Sequence, residues 1–145
     1  MEIKLDDIVS PELKEYLLTQ EGITDVDINY DGYFIKLNIK FNEKTAPIII
    51  MKYIELFEGY KYSNLVEFNK ENIEKFKTLK YTIDEMCCEY CYMDLIWNLF
   101  ENNKVKSVKS NFDIAKPAFN VEFLIEYSED YDEQELIEYI KEKYK

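Results

Sequence analysis

The sequence predicts an α+β fold in which antiparallel β-hairpins pack against several helices within one compact domain, residues 1–145. Two observations support this prediction. Stretches in which apolar and polar residues alternate, as in half-buried strands, are interspersed with stretches in which apolar residues recur at helical spacing. The chain of 145 residues also has the size of one domain, large enough to bury a stable core.

Two helices are predicted in the first half of the chain. Ser10 followed by Pro11 is typical of a helix start, with the serine as N-cap and the proline at the first helical position. A short helix over about residues 11–20 follows from this pair. A second helix is predicted between Thr45, which would cap its start, and Gly59, which would end it.

A β-hairpin is predicted between these helices, over residues 23–41. Apolar residues alternate with polar ones on both sides of Asp31 and Gly32, a dipeptide typical of two-residue hairpin turns. A turn at this dipeptide would place Tyr30 opposite Tyr33. The apolar residues of both strands would then share one face, which leaves the other face for solvent.

The middle of the chain is predicted to be helical. Residues 69–81 read as a short helix with Ile73 among its inward-facing residues. The following Thr82 and Glu85 have the spacing of a capping box, which predicts the start of a long apolar helix that runs to about Glu101.

The last third is predicted to form a second hairpin and a final helix. Two alternating strands lie within residues 104–127, with the turn at Lys116 and Pro117. A helix follows over about residues 131–143, with Asp130 as its cap.

A helix followed by a hairpin thus occurs twice, in residues 11–41 and 84–127. This order suggests a weak internal repeat. Two short amphipathic hairpins also resemble each other without common descent, so both explanations stay open.

The charge excludes several function classes. The chain carries 30 acidic residues against 18 lysines, with no arginine and no histidine, for a net charge of −12. The usual general base near neutral pH, the commonest metal ligand and the bidentate anion-binding side chain are therefore all missing. We predict a protein that is not an enzyme and has no cofactor or metal, although chemistry based on carboxylates and a metal stays an alternative.

The same charge indicates the kind of partner. Nucleic acids and anionic membrane surfaces repel a protein of this charge, whereas a basic protein attracts it. We therefore predict a basic protein partner, no direct binding of nucleic acid and no membrane association; self-association is left open.

A cytoplasmic location is predicted from the lack of a signal peptide and of a long apolar segment. The three cysteines, Cys87, Cys88 and Cys91, lie within five residues. An odd number at this spacing is no disulfide framework, so we expect reduced thiols that are buried as small apolar side chains.

Two acidic groups are the candidate partner-binding residues. Asp25 and Asp27 lie on the predicted solvent face of the first hairpin, where Asp27 would face Lys36. The second group is denser than helix capping requires. It consists of Glu129, Asp130, Asp132, Glu133 and Glu135.

An alternative site binds a small ligand. Four lysines in the one strongly basic stretch, together with two tyrosines, would suit an anionic metabolite or nucleotide signal. Lysines that protect an edge strand from aggregation are the structural explanation of the same stretch. These residues are Lys104, Lys106, Lys109, Lys116, Tyr60 and Tyr62.

The sequence therefore favours an acidic protein-binding module. Its most concrete form is an inhibitor that blocks a basic, nucleic-acid-binding surface of an enzyme, the type of role that phage anti-defence proteins and bacterial toxin-immunity proteins perform. No motif identifies either group. The alternative is a protein that sequesters a small molecule or nucleotide signal, either as a monomer or as an oligomer.

Overall fold

The computed structural model describes residues 1–6, 9–31, 34–59, 64–86, 89–113 and 119–144. Within these ranges the chain forms four helices and seven strands, and the strands within each half pair in antiparallel fashion, which confirms the predicted α+β class. The elements are β1 Glu2–Leu5, α1 Leu13–Leu18, β2 Ile23–Asp31, β3 Phe34–Phe41, α2 Pro47–Glu58, β4 Leu65–Asn69, β5 Phe76–Glu85, α3 Glu89–Glu101, β6 Val105–Ser110, β7 Phe119–Ser128 and α4 Glu133–Lys143.

The chain divides into two compact units, Met1–Asn72 and Ile73–Lys145, called unit 1 and unit 2 below. The prediction of a single domain over the whole chain stays a prediction. Both units begin with the same order of elements, strand, helix, strand, strand, helix. The segments 11–41 and 84–127 each contain a helix followed by two paired strands, and their origin as a repeat also stays a prediction.

Unit 1 has the strand order β2-β3-β1-β4. With its element order β-α-β-β-α-β, this is the ferredoxin-like, or split βαβ, arrangement. The strand β1 is central because it pairs with β3 on one side and β4 on the other. The core combines the inward side of the sheet with both helices; its fully buried residues include Ile3, Leu5, Leu13, Leu17, Leu37, Ile50 and Ile54.

Unit 2 has the strand order β6-β7-β5. On one face of this sheet, alternate residues of β7 are buried, and Phe123 lies 5.7 Å from the ring of Tyr92 in α3. We call the opposite face the open face; it carries the intervening residues of β7, Glu122 and Leu124, which are exposed. The alternation of residues 119–127 predicts that Phe119, Val121, Phe123, Ile125 and Tyr127 face inward. The last four are buried as predicted, and the side chain of Phe119 lies outside the described part of the chain.

The first hairpin forms as predicted, but in a different register. Asp31 lies opposite Phe34 and Tyr30 opposite Ile35, so the predicted pairing of Tyr30 with Tyr33 is wrong. The pairing has moved by two residues along β3, which keeps every side chain on its predicted face. Gly32 and Tyr33, on which the turn prediction depended, lie outside the described residues.

The helix predicted over residues 69–81 is wrong along its whole length, and the helix predicted from Thr82 is wrong in its first part. Residues 76–85 form the strand β5, and the long helix begins only at Glu89. The buried residues Leu79 and Ile83 are four apart, a spacing that fits a helix and a strand equally well. Pairing with β7 along the whole length of β5 decides for the strand.

Three predicted helix caps are also wrong, although the helices exist. Ser10 does not cap α1; its backbone N–H and its hydroxyl each donate a hydrogen bond to Glu58, both at 2.9 Å. Thr45 donates its hydroxyl to the side chain of Asn42. Asp132, rather than Asp130, caps α4. Gly59 does end α2 as predicted, with the left-handed φ of 74° that favours glycine.

Candidate functional site

The acidic segment, residues 129–135, connects β7 to α4 in unit 2. Two of its acids hold this connection in place. Asp132 caps α4, since its Oδ1 accepts the backbone N–H of Gln134 at 2.7 Å. Asp130 accepts the hydroxyl of Ser128 and the ammonium of Lys104, the latter at 3.1 Å. These two hydrogen bonds, the one from Ser128 first, lower the pKa of Asp130.

The other three acids of the segment have no comparable structural task. Glu129, Glu133 and Glu135 are exposed, and none of them forms an ion pair with a residue of the described ranges. Glu133 and Glu135 lie in the first turn of α4, where the partial positive charge of the helix end favours acids. The segment therefore presents three carboxylates to solvent within seven residues.

The second acidic group, Asp25 and Asp27, lies on β2 in unit 1, and both side chains are exposed. Asp27 is opposite Asn38, so the predicted pair with Lys36 is wrong; the two-residue shift in register is the reason. Its carboxylate instead accepts the side-chain amide of Asn29 at 3.1 Å. This group belongs to unit 1, whereas the acidic segment belongs to unit 2.

The lysines of the alternative site have separate surroundings. Lys104 binds Asp130. Lys106 is 8% exposed, lies 3.7 Å from Glu126 and stacks over the ring of Phe76 at 4.8 Å from its centre. Lys109 is exposed at the margin of a hollow. The structure thus gives these three lysines different neighbours. Lys116, Tyr60 and Tyr62 lie outside the described residues.

The hollow beside Lys109 lies on the open face of unit 2 and has a volume of about 260 Å³. Its floor includes Leu124, which is 46% exposed and lies between Lys80 of β5 and Lys109 of β6 in the strand register. Lys80 also faces Glu122 at 3.7 Å. The lining residues are Lys80, Lys109, Ser110, Asn111, Glu122, Phe123 and Leu124.

Sequence reasoning included Lys109 among the candidate residues and missed Lys80. The alternation of polar and apolar residues in β5 could have indicated Lys80, which lies between Leu79 and Tyr81. The helix prediction for this stretch hid that signal, because it removed Lys80 from the sheet.

The cysteines give a further correction. Cys91, in the first turn of α3, is half-buried and disulfide-bonded, so the expectation of a reduced thiol is wrong at this position. An odd number of cysteines excludes complete pairing, but it does not exclude one disulfide. Cys87 and Cys88 lie outside the described residues. In the ranges that are described, no three side chains of His, Cys, Asp or Glu form a group that could hold a metal ion.

Comparisons with known proteins leave the function open. No protein-family model matches the chain, and no curated protein matches it. Among solved structures, the solution structure of the N-terminal soluble domains of Bacillus subtilis CopA aligns with 98% of this chain and 88% of its own, at 18% identity and a TM-score of 0.37. A likeness at this TM-score carries no argument. No helix in the described ranges is long and apolar enough to cross a membrane.

Proposed function

We propose that the protein is an acidic protein-binding module that binds a basic partner through the acidic segment. The observation that carries the proposal is the set of three exposed carboxylates, Glu129, Glu133 and Glu135, beyond the two acids that the local structure uses. In its specific form, the module is a cytoplasmic inhibitor that covers a basic, nucleic-acid-binding surface of an enzyme. It performs no catalysis itself.

Electrostatics supports this proposal. Carboxylates gathered in a short segment repel one another, and a partner rich in lysine or arginine relieves that repulsion. The backbone around Asp130 and Asp132 is held by hydrogen bonds, so the three outward carboxylates are presented from an ordered connection. Asp25 and Asp27 on β2 are a second set of exposed acids, in unit 1.

The triple variant E129Q/E133Q/E135Q tests the proposal. We expect it to bind a basic protein captured from the source cells at least about tenfold more weakly than the unchanged chain, with a smaller dependence on salt. Biolayer interferometry at low and high salt measures both quantities. The control variant E12Q/E15Q/E21Q removes three exposed acids of unit 1 and should leave the affinity nearly unchanged. Equal losses in both variants would show that only net charge matters.

A second candidate function is binding of a small anionic molecule in the hollow of unit 2. The observation that favours it is the placement of Lys80 and Lys109 on either side of the exposed Leu124. An apolar body would lie on the leucine while phosphate or carboxylate groups reach the two ammonium groups. Ser110 and Asn111 add a hydroxyl and an amide to the lining.

Adenosine monophosphate and inorganic phosphate are suitable probes of the hollow. We expect the nucleotide to shift the methyl signals of Leu124 in NMR spectra, and the double variant K80M/K109M to weaken that binding about tenfold. The variant K75M/K141M, which removes two exposed lysines outside the lining, serves as control. Unchanged spectra with both probes would argue against a nucleotide or phosphate site.

A further inference from the structure

The strand β5 has an edge that its counterpart in unit 1 does not have. In unit 1, the first strand, β1, pairs with β3 on one side and with β4 on the other. In unit 2, the first strand is β5, and it pairs with β7. The strand order ends at β5, and no strand in the described ranges occupies the position that β4 has in unit 1.

The backbone of β5 is oriented for a further strand at this edge. The N–H of Glu129 donates to the carbonyl of Lys75 at 3.1 Å, in register with the pairing of Phe76 and Ser128. Opposite residues of an antiparallel pair alternate between bonded and non-bonded positions, so the odd-numbered residues of β5 bond to β7. The even-numbered residues then direct their N–H and carbonyl groups to the outer edge.

The charges of β5 are arranged so that the strand complements itself. Its first half carries Lys77 and Lys80, and its second half carries Asp84 and Glu85. All four side chains are exposed. When two such strands run antiparallel about a two-fold axis, the basic half of each lies beside the acidic half of the other. A second copy of this chain therefore fits the edge by charge.

We propose that two copies of the chain pair their β5 strands in antiparallel fashion, with the two Tyr81 residues at the two-fold axis. In this register, Lys77 of each chain lies opposite Glu85 of the other, and Leu79 lies opposite Ile83. The charge pair and the apolar pair each occur twice, which is what a self-complementary interface requires. The two sheets then form one continuous sheet through the dimer.

The neighbouring register is less favourable. A shift of the axis by one residue, to Thr82, places Lys80 opposite Asp84 of the other chain. It also places Leu79 opposite Glu85, which removes the apolar pair. Of these two registers, the one centred on Tyr81 both pairs a lysine with an acid and keeps Leu79 opposite Ile83.

The strand at the other end of the strand order has a different charge pattern. The strand β2 also stands at an end, but it carries Asp25 and Asp27 and has no lysine. Two copies of β2 would bring acids together, which is a common protection against pairing between edges. The self-complementary pattern is therefore a property of β5 and not of edge strands in this protein generally.

Charge reversal tests the proposed dimer. We expect the full chain to dimerise in sedimentation velocity experiments, and K77E and E85K each to lower the association constant at least about tenfold. The double variant K77E/E85K exchanges the charges and should restore the dimer. The variant K14E changes the net charge as K77E does, at an exposed position of α1, and should leave association unchanged.

Proline substitution gives an independent test. In Thr78→Pro, an outward N–H of β5 is lost while the bonds to β7 remain, so we expect a folded monomer by circular dichroism and sedimentation. A full chain that stays monomeric at high concentration would overturn the proposal. So would a dimer that K77E leaves intact, or one that the double variant does not restore.

Discussion

Replacing Phe123 with alanine should lower the free energy of unfolding by about 3–5 kcal/mol, the largest effect of a single substitution that we expect in unit 2. Phe123 lies in β7, the middle strand of its sheet, and is 1% exposed. Its ring also packs near that of Tyr92, at 5.7 Å between centres. The substitution removes this contact and leaves a cavity. Because β7 is paired with a strand on each side, it cannot move to fill that cavity.

Urea unfolding followed by circular dichroism measures this loss. The matched control is Leu124→Ala, at the next residue of the same strand, where the side chain faces the open side and is 46% exposed. We expect this control to cost less than about 1 kcal/mol. Similar losses for both variants would mean that the two faces of the sheet are not distinguished as the structure describes.

The stability of the protein should rise with pH above neutrality because of Lys70. This residue follows β4 in unit 1, is 4% exposed and lies over the ring of Phe68. Burial lowers the pKa of Lys70 to about 7, from an ordinary value of 10.5. Between these two values the unfolded chain binds the proton that the folded chain has lost, so the free energy of unfolding increases with pH. The slope is at most about 1.4 kcal/mol per pH unit.

The variant Lys70→Met isolates this contribution. Its free energy of unfolding should rise less steeply between pH 7 and pH 10 than that of the unchanged chain, because methionine does not titrate. Thermal or urea unfolding over this pH range measures both curves. The amino group of Met1 also has a lowered pKa because of burial, and it adds a smaller rise that ends near its ordinary value of 8.0 in both proteins.

Tyrosines limit this test at high pH. Burial raises the pKa of Tyr139 to about 12. A group whose folded pKa is raised loses its stabilising effect as the pH rises above its ordinary value, here 10.0. Measurements below pH 10 therefore report mainly on Lys70. If Lys70→Met kept the slope of the unchanged chain over this range, the rise in stability would come from a group other than Lys70.

The sequence predicted those elements whose signals are local. The helix α2 has Pro47 at its start and Gly59 at its end, and both residues act through their own backbone angles. In the ten residues of β7, apolar and polar side chains alternate except at Leu124, and this period of two is not that of a helix. In β5, by contrast, the two buried residues fit both periods, and pairing with a strand more than thirty residues away decided between them.

The candidate sites show the same difference between local signals and contacts that are distant in sequence. The acidic segment is contiguous in the chain, so its density was visible without a structure. The roles of its residues were not visible, because Asp130 is held by Lys104, which lies in the turn before β6 and is distant in sequence. The hollow depends on β7 lying between Lys80 and Lys109, and no local pattern predicts that arrangement.

The central position of β1 determines the order in which unit 1 assembles. This strand has four residues, yet its partners come from β3 and from β4, which ends at Asn69. Contacts between such distant parts of the chain form slowly, whereas β2 and β3 are neighbours in sequence and meet early. Within unit 1, β1 therefore leaves the ribosome before its partner strands and is among the last to be enclosed, because its edge stays exposed until the strand at residues 65–69 has been synthesised.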